Sequence, residues 1–416
     1  MTAAEKILGK ALVGSGLDTK GWSGIQAGLR DRAFFSSQVE DARILHAARQ
    51  MCAEVAEGKR SASEFRRDMR TLLAKMGHPE GDGSLKDLYS DKRLDVLRET
   101  NVKQARGYAQ WLEGTKEGAL MAFPAQELVR VEARIKTRDW KGRWSDKGGK
   151  FYQGRMIALK NDPIWERISR FGSAWPPFDF NSGMGVEDVS LEEAIELGVM
   201  GEDDPTPTME AAGFNDGLEV ELPEDGLAEM DKMLREAFGD QVDIVGNKAH
   251  WNAGLIRDMF DGKGEQNARL GKCLIDRDLL VEAGGETLAD RMAGTGLTIT
   301  RQWMDTHGAK HRTPSGDAGT NLPLSEGDYE LIPSMWRMPD GVSVHSKHEI
   351  TLSLDTLDGG TLRLGVNLAM GFPTSFRKER TAKAPSSAKT ANDGRRTFAV
   401  MRNSQPQGGG KGKEEA

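Results

Sequence analysis

The sequence predicts an α+β protein with a mainly helical first half and an antiparallel sheet towards the end of the chain. Apolar residues recur at helical spacing through the first hundred residues. Three strand-like runs, two of them joined by a hairpin signal, lie between residues 342 and 368. Helices followed by an antiparallel sheet are the order expected of the α+β class.

Composition favours a multi-part chain of the soluble, intracellular type. The 416 residues suggest about three domains, and 38% apolar against 29% charged residues is polar for that size. Cys52 and Cys273 are the only cysteines, which excludes a disulfide framework and a cysteine-based zinc site. No apolar run approaches the ~18–20 residues of a membrane span, and the first residues lack the pattern of a secretory signal. We expect no cofactor.

The first hundred residues are expected to form a helix hairpin and then a long helix. Ser61 and Glu64 have the spacing of a capping box before a second helix. A breaker-rich loop at 77–84 follows, and a third helix is predicted from about Leu88 to Glu113. The first helix is predicted from apolar residues at helical spacing: Val39, Ala42, Ile44, Leu45, Ala48 and Met51.

Residues 123–185 predict a small Trp-rich β region. Residues 127–131 alternate as a strand does, and the two prolines at 176 and 177 hold the neighbouring backbone extended. Ser190 and Glu193 predict the start of a short helix that stops at Gly198. Four tryptophans crowd into this region: Trp140, Trp144, Trp165 and Trp175.

Four parts follow from these patterns. Residues 1–200 form the first domain, an acidic Pro-containing linker spans 201–217, an α+β domain spans 218–380, and a basic disordered tail spans 381–416. In the third part we expect a helix from Leu227 to Phe238 and three strands at 342–345, 349–354 and 361–368. Asp358-Gly359-Gly360 is the hairpin signal between the last two strands.

The end of the chain is basic although the chain as a whole carries a formal charge of −7. Residues 377–416 contain ten Lys or Arg and four Asp or Glu, and their Gly- and Ser-rich composition cannot support a core. Two interpretations remain open, a solvated tail and a basic arm that contacts nucleic acid.

Three segments of the first half resemble the phage minor head, or head morphogenesis, family of Mu F-like proteins. They are 35–43, the Arg98-Glu99-Thr100-Asn101 helix with 105–108, and the Trp175-Pro176-Pro177-Phe178-Asp179-Phe180-Asn181-Ser182-Gly183 motif. The resemblance covers roughly residues 30–190. It implies a capsid location, in the virion or host cytoplasm, with portal or other capsid proteins and packaged DNA as partners and no membrane.

This chain departs from the family at one motif. In many relatives the closing motif carries cysteines and a histidine that look like metal ligands, whereas residues 178–181 are Phe, Asp, Phe and Asn here. The structural alternative is that Trp165, Trp175 and Phe180 are core aromatics. No catalysis is predicted for this half.

Histidines cluster in the second half of the chain. Four of the seven lie between residues 307 and 348: His307, His311, His345 and His348. Three interpretations remain open: structural histidines, a metal site from His307 and His311 at i, i+4, and metal-independent acid–base chemistry on a phosphodiester. The Glu of a His-Glu-x-x-His metalloprotease motif is absent, and we assign no metal ligand.

A second resemblance favours the acid–base interpretation. The order of 303–311, Asn321-Leu322-Pro323, Ile332-Pro333, Met338-Pro339-Asp340-Gly341-Val342 and Phe372-Pro373-Thr374-Ser375-Phe376 resembles phage-borne nuclease domains of the barnase/EndoU/colicin/RelE-like class. It covers roughly residues 245–380. Such domains occur fused to minor head proteins.

The second resemblance implies cleavage of RNA without a metal, in the manner of a toxin domain. His307 or His311 would act as base or acid, Thr374 and Ser375 would donate hydrogen bonds to a phosphate oxygen, and Arg377 would stabilise the charged transition state. Lys310 and Lys378 would bind substrate phosphate, and His345 and His348 are held in reserve. An immunity protein is a further implied partner.

Two rival hypotheses are kept. One is a purely structural virion or portal-associated protein whose second half packs without catalysis. The other is an ADP-ribosyltransferase payload, for which the sequence offers no convincing NAD site. Whether the chain is an enzyme is therefore open at this point.

Overall fold

The computed structural model describes residues 1–209, 219–222, 227–238, 242–251, 255–260, 267–310 and 321–380. Within them the chain is a mixed α and β structure whose larger sheets are antiparallel, which confirms the predicted class at that level. The predicted tail at 381–416 and residues 210–217 of the predicted linker lie outside the described residues. In the described part of the chain, no helix is long and apolar enough to cross a bilayer.

The first half is helical and then becomes a small sheet. Its helices are α1 (Ala3–Gly9), α2 (Thr19–Gly24), α3 (Ala27–Arg32), α4 (Ala42–Ala56), α5 (Ala62–Lys75), α6 (Asp91–Gly114), α7 (Glu117–Ala122), α8 (Trp140–Asp146), α9 (Ile164–Ile168) and α10 (Leu191–Glu196). Its strands are β1 (Ala11–Leu12), β2 (Ala33–Phe34), β3 (Ala125–Arg130), β4 (Phe151–Tyr152), β5 (Arg155–Leu159) and β6 (Met184–Val189).

The predicted hairpin and long helix are confirmed as α4, α5 and α6. The Ser61 hydroxyl accepts from the Glu64 amide and the Glu64 carboxylate accepts from the Ser61 amide, so the capping box forms. Asp41 and Ser90 cap α4 and α6 with their side chains. Phe65, which follows the box, is fully buried among the apolar residues of α4 and α6.

The predicted Trp-rich region forms a four-stranded antiparallel sheet in the order β4-β5-β3-β6. Trp144 and Trp165 are completely buried and meet edge to face, with ring centroids 5.3 Å apart. Their indole nitrogens donate to backbone carbonyls of Lys150 and Leu159. These tryptophans are therefore core residues.

The second half contains three sheets and six helices in the described residues. The helices are α11 (Leu227–Phe238), α12 (Leu255–Phe260), α13 (Arg277–Ala293), α14 (Arg301–Lys310), α15 (Glu326–Tyr329) and α16 (Ile332–Met335). The strands are β7 (Glu219–Glu221), β8 (Val242–Val245), β9 (Lys248–Trp251), β10 (Ala268–Lys272), β11 (Gly296–Ile299), β12 (Asn321–Leu322), β13 (Gly341–Ser346), β14 (Glu349–Asp355), β15 (Gly360–Asn367) and β16 (Phe372–Arg380).

Two separate cores divide the second half. Leu222, Leu234, Val242 and Trp251 share a core with apolar residues from 13–33 of the first half. Residues 256–376 form the other core, to which α4 contributes Ala42. The strands β7 to β9 thus pack with the start of the chain and not with the C-terminal sheet.

The C-terminal sheet is antiparallel in the order β12-β16-β15-β14-β13. The three predicted strands are β13, β14 and β15, and Gly359 adopts φ +85° in the predicted hairpin turn. Strand β16, which was not predicted as a strand, pairs with β15 along its length. One face of the sheet packs on α12 to α16 through Leu352, Leu364 and Phe376.

Ion pairs that are buried or half-buried join the two halves. Arg49 is 1% exposed and pairs with Glu330, while Arg43 pairs with Asp340 at 2.8 Å. Burial opposes the charged form of both Asp340 and Arg43. The pKa of Asp340 is raised by that burial despite the attraction of Arg43, and the pKa of Arg43 is raised because its bonds to Asp41 and Asp340 outweigh burial.

Candidate functional site

The second face of the C-terminal sheet is polar. Strand residues alternate between faces, so Thr351, Ser353, Arg363, Ser375 and Arg377 lie opposite the leucines that enter the core. The register places Arg363 beside Arg377 and Gly365 beside Ser375 on neighbouring strands. Thr351 and Ser353 of β14 extend the same two rows across β15.

Three hydroxyl groups lie around Gly365, and one of them contacts an imidazole. His345 Nε2 lies 2.8 Å from Thr351 Oγ1, and Thr351 pairs directly with Gly365. A Cβ at Gly365 would lie 2.6 Å from Ser375 Oγ and 2.7 Å from Thr374 Oγ1. The hydroxyls of both residues therefore occupy the space beside Gly365 that the Cβ of any other residue would fill.

Thr374 is placed there by a β-bulge. Gly365 pairs with Ser375 and Val366 pairs with Pro373, so Thr374 has no partner of its own in the ladder. A bulge turns the affected side chain and is frequent beside active sites. Thr374 is exposed and Ser375 is half-buried. The structure thus places two of the residues assigned from the sequence on this face, and His345 lies on the same face, with β14 and β15 between it and them.

One carboxylate holds the two arginines of this face. Glu379 accepts from Arg363 Nε and Arg377 Nε, each at 2.6 Å. Two directly opposite cations repel each other, and Glu379 compensates only one of the two charges. Burial raises the pKa of Glu379, but its bonds to Arg377 and Arg363 outweigh that effect and leave the pKa lowered. The carboxylate is therefore ionised at neutral pH and the trio keeps one positive charge.

His307 lies on the other side of the sheet. It is half-buried on α14, stacks on Trp303 with ring centroids 4.8 Å apart, and places Nδ1 3.3 Å from the Trp303 carbonyl oxygen. The Trp303 ring contacts the Tyr329 ring, and the Tyr329 ring in turn contacts that of Phe376. The ring centroids of Tyr329 and Phe376 lie 5.1 Å apart. Phe376 faces the core, and its chain neighbours Ser375 and Arg377 face away from it. The structure does not bring His307 together with those two residues.

Lys378 is a buried cation. Its Nζ donates to Asp328 at 3.0 Å and to Asp358 at 2.7 Å, and the residue is 7% exposed. Burial lowers the pKa of Lys378, but hydrogen bonds to the two aspartates outweigh it and leave the pKa raised. This lysine is on the core face of β16, where its charge is balanced by the protein itself.

The remaining assigned residues fall at or beyond the edge of the described chain. His311 and the segment after it, up to residue 320, lie outside the described residues. Lys310 ends α14, and its side chain also lies outside them. The His307–His311 pair therefore stays a prediction. Among the residues that are described, no three His, Cys, Asp or Glu side chains gather as a metal site would require.

The two longer motifs behind the minor-head resemblance meet in the first half. Tyr108 and Trp175 pack edge to face with centroids 4.9 Å apart. Gly107 lies so close to the Pro176 carbonyl oxygen that a Cβ would come within 2.0 Å of it. Glu99 and Asn181 line one surface pocket together. Helix α6 and the Pro-Pro segment thus form one packed unit, although about 70 residues separate them in the sequence.

Sequence reasoning missed Arg363, Gly365, Thr351 and Glu379 as members of this face. Alternation along β14 and β15 was a usable signal, because it gives the polar face of both strands. Alternation does not predict that β16 pairs with β15, because the residues of β16 also have the composition of a basic tail. Only that pairing sets Arg377 beside Arg363.

Comparisons with protein-family models, with curated proteins and with solved structures find no match for this chain.

Proposed function

We propose that the chain is a phage minor-head-like protein whose C-terminal domain cleaves RNA without a metal at the polar face of its sheet. The observation that carries the catalytic part is the polar face around Gly365. Thr374 and Ser375 lie on one side of this glycine, Thr351 with its bond to His345 lies on the other side, and two arginines that share one carboxylate lie on the same face.

His345 is the proton carrier in this proposal. Its bond to Thr351 fixes the ring, and no group among the described residues pairs with its other nitrogen, Nδ1. An imidazole is the side chain whose ordinary titration range suits proton transfer near neutral pH. The ring would take the proton of a ribose 2′-hydroxyl as the 2′-oxygen attacks phosphorus and the bond from phosphorus to the 5′-oxygen breaks. The departing 5′-oxygen would take its proton from solvent water.

The remaining groups would hold the phosphate. The hydroxyls of Thr374 and Ser375 donate hydrogen bonds to a non-bridging oxygen, and Arg363 and Arg377 supply the uncompensated positive charge beside them. The side chains of Arg363 and Arg377 are 35% and 42% exposed. A phosphate can therefore reach them without moving the core.

The experiment compares two oligonucleotides in EDTA. Full-length protein is incubated with an RNA 12-mer and, separately, with the same RNA in which the nucleotide at the cleavage site carries 2′-deoxyribose. Cleavage of the first, with a 2′,3′-cyclic phosphate product, and survival of the second would support the proposal. Equal cleavage of both, or cleavage of neither by folded protein, would refute it.

The minor-head part of the proposal is supported by the packing of the two motif segments, Tyr108 against Trp175 and Gly107 against Pro176. Gradient-purified phage particles from a lysogen that encodes the chain should contain it. Particles that assemble without detectable chain would contradict this part and leave the catalytic part standing.

A purely structural role is the second candidate, and the ion pairs between the halves favour it. Arg49–Glu330 and Arg43–Asp340 connect the C-terminal half to the N-terminal helices, as expected of one rigid body and not of a releasable payload. Chain present in particles, together with no cleavage of RNA, would favour this candidate.

A further inference from the structure

Three arginines surround one carboxylate in the first half of the chain. Asp179 lies 3.0 Å from Arg143, 3.8 Å from Arg138 and 3.8 Å from Arg170. Its side chain is 7% exposed, whereas those of Arg138 and Arg170 are 46% and 52% exposed. The three cations come from the loop before α8, from α8 itself and from the segment after α9.

The charges of this cluster do not balance. Within the described residues, none of the three guanidinium groups has an ion-pair partner other than Asp179. Like charges at such short separations repel, and the repulsion is largest where solvent is partly excluded. Two positive charges remain uncompensated, and Arg138 and Arg170 are the side chains that face solvent. A second anion is what this arrangement lacks.

The cluster is held in place before any anion arrives. Asp179 Oδ1 accepts from the Phe180 amide at 2.8 Å. The Arg143 guanidinium lies 4.8 Å from the centre of the Trp140 ring, and that of Arg170 lies 5.5 Å from the Phe180 ring. Because aromatic faces and a buried carboxylate hold Arg143 and Arg170, these two side chains lose less freedom on binding a phosphate than a free arginine would.

The surface around the cluster is also cationic. Residues 130–150 contain eight Lys or Arg against three Asp or Glu, in a chain whose formal charge is −7. Lys136 and Lys141, on either side of Arg138, are both exposed. The cations lie on a loop and a short helix, spread over a surface. That spread suits an extended polyanion better than a single small anion.

We propose that this surface, defined by Arg138, Arg143, Arg170, Lys136 and Lys141, binds the sugar-phosphate backbone of nucleic acid without regard to sequence. Arg138 and Arg170 contact phosphates directly, and Asp179 positions them. The site is distinct from the sheet face of the C-terminal domain, and it stands whether or not that domain cleaves RNA.

The test measures binding of the full-length protein to a fluorescein-labelled 20-bp DNA duplex by anisotropy at several salt concentrations. The variant Arg138→Gln/Arg170→Gln should bind about tenfold more weakly at low salt. Its slope of log Kd against log[salt] should fall by about two, because each arginine neutralises one phosphate in the wild type. The basic C-terminal segment is unchanged in both proteins and contributes equally to both.

The matched control is Arg277→Gln, since that side chain is 53% exposed and already pairs with two carboxylates, Glu286 and Asp290. It should bind like the wild type. Equal affinity and slope for the double variant and the wild type would overturn the proposal. So would competition by poly-glutamate as effective as by unlabelled duplex, which would assign the surface to an acidic protein partner.

Discussion

Replacing Lys378 tests whether this lysine stabilises the fold as a buried cation or binds the phosphate of a substrate. Its amine lies between Asp328, whose side chain is 6% exposed, and Asp358. Lys378→Met keeps the length of the side chain but leaves Asp328 buried without its cation. Breaking a buried pair from one side costs about 3–5 kcal/mol, which is a large part of the roughly 5–15 kcal/mol that stabilises a typical domain.

Urea denaturation followed by tryptophan fluorescence measures that cost. The control is Lys248→Met, which breaks a pair with Glu219 whose two side chains are 45% and 41% exposed; an exposed pair contributes at most about 1 kcal/mol. Adding Asp328→Asn to Lys378→Met should recover part of the stability, because the amide carries no charge and keeps the side-chain oxygen that accepts from Ser325.

The opposite result has a clear meaning. A Lys378→Met protein that unfolds at the urea concentration of the wild type, yet no longer binds RNA, would show that Lys378 serves substrate phosphate. Its pairing with Asp328 would then contribute nothing measurable to the fold.

Single contacts give three further predictions. Gly107→Ala should destabilise the first half by about 1–3 kcal/mol, since its Cβ would meet the Pro176 backbone oxygen; a thermal shift equal to that of Gly118→Ala, whose Cβ meets nothing within 4 Å, would contradict this. Gly365→Ala should leave the melting temperature close to that of the wild type but reduce RNA cleavage at least about tenfold, because its Cβ pushes aside two flexible hydroxyls; unchanged cleavage would count against the site. Finally, the pKa values of Asp358 and Glu379 are lowered by their cationic partners, against burial, so the stability that these pairs contribute is present above the ordinary carboxyl pKa of about 4 and is lost as pH falls through the lowered values. Lys378→Met should therefore show a shallower decline in stability below about pH 4 in urea titrations, and an unchanged slope would refute the link.

Local sequence patterns predicted the helices that begin at a capping residue and the strands in which apolar and polar residues alternate. The Ser61–Glu64 box, the helix from Asp91 and the strands β13 to β15 depend on residues a few positions apart. The sharing of a core between 13–33 and 222–251 depends on contacts between distant segments, and no periodic pattern signals which apolar faces will meet.

The site was harder to predict because sheet pairing decides it. His307 and Arg377 both suit phosphodiester chemistry as residue types, but the contact of Trp303 with Tyr329 and of Tyr329 with Phe376 places them on opposite sides of β16. Lys378 had the sequence context of a basic tail, and its burial is tolerable because Asp328 and Asp358, both earlier in the chain, accept from its amine. The role proposed for His345 depends on its bond to Thr351, which forms across one hairpin.

The measurement that tests the central claim most directly is the rate of RNA cleavage in EDTA by His345→Gln and His307→Gln proteins beside the wild type. We predict a rate at least about a hundredfold lower for His345→Gln, in keeping with the about 10²–10⁴-fold contribution of a general acid or base, and a near wild-type rate for folded His307→Gln. Loss of cleavage in His307→Gln with full activity in His345→Gln would contradict the proposed site and move the chemistry to the helical side of the sheet.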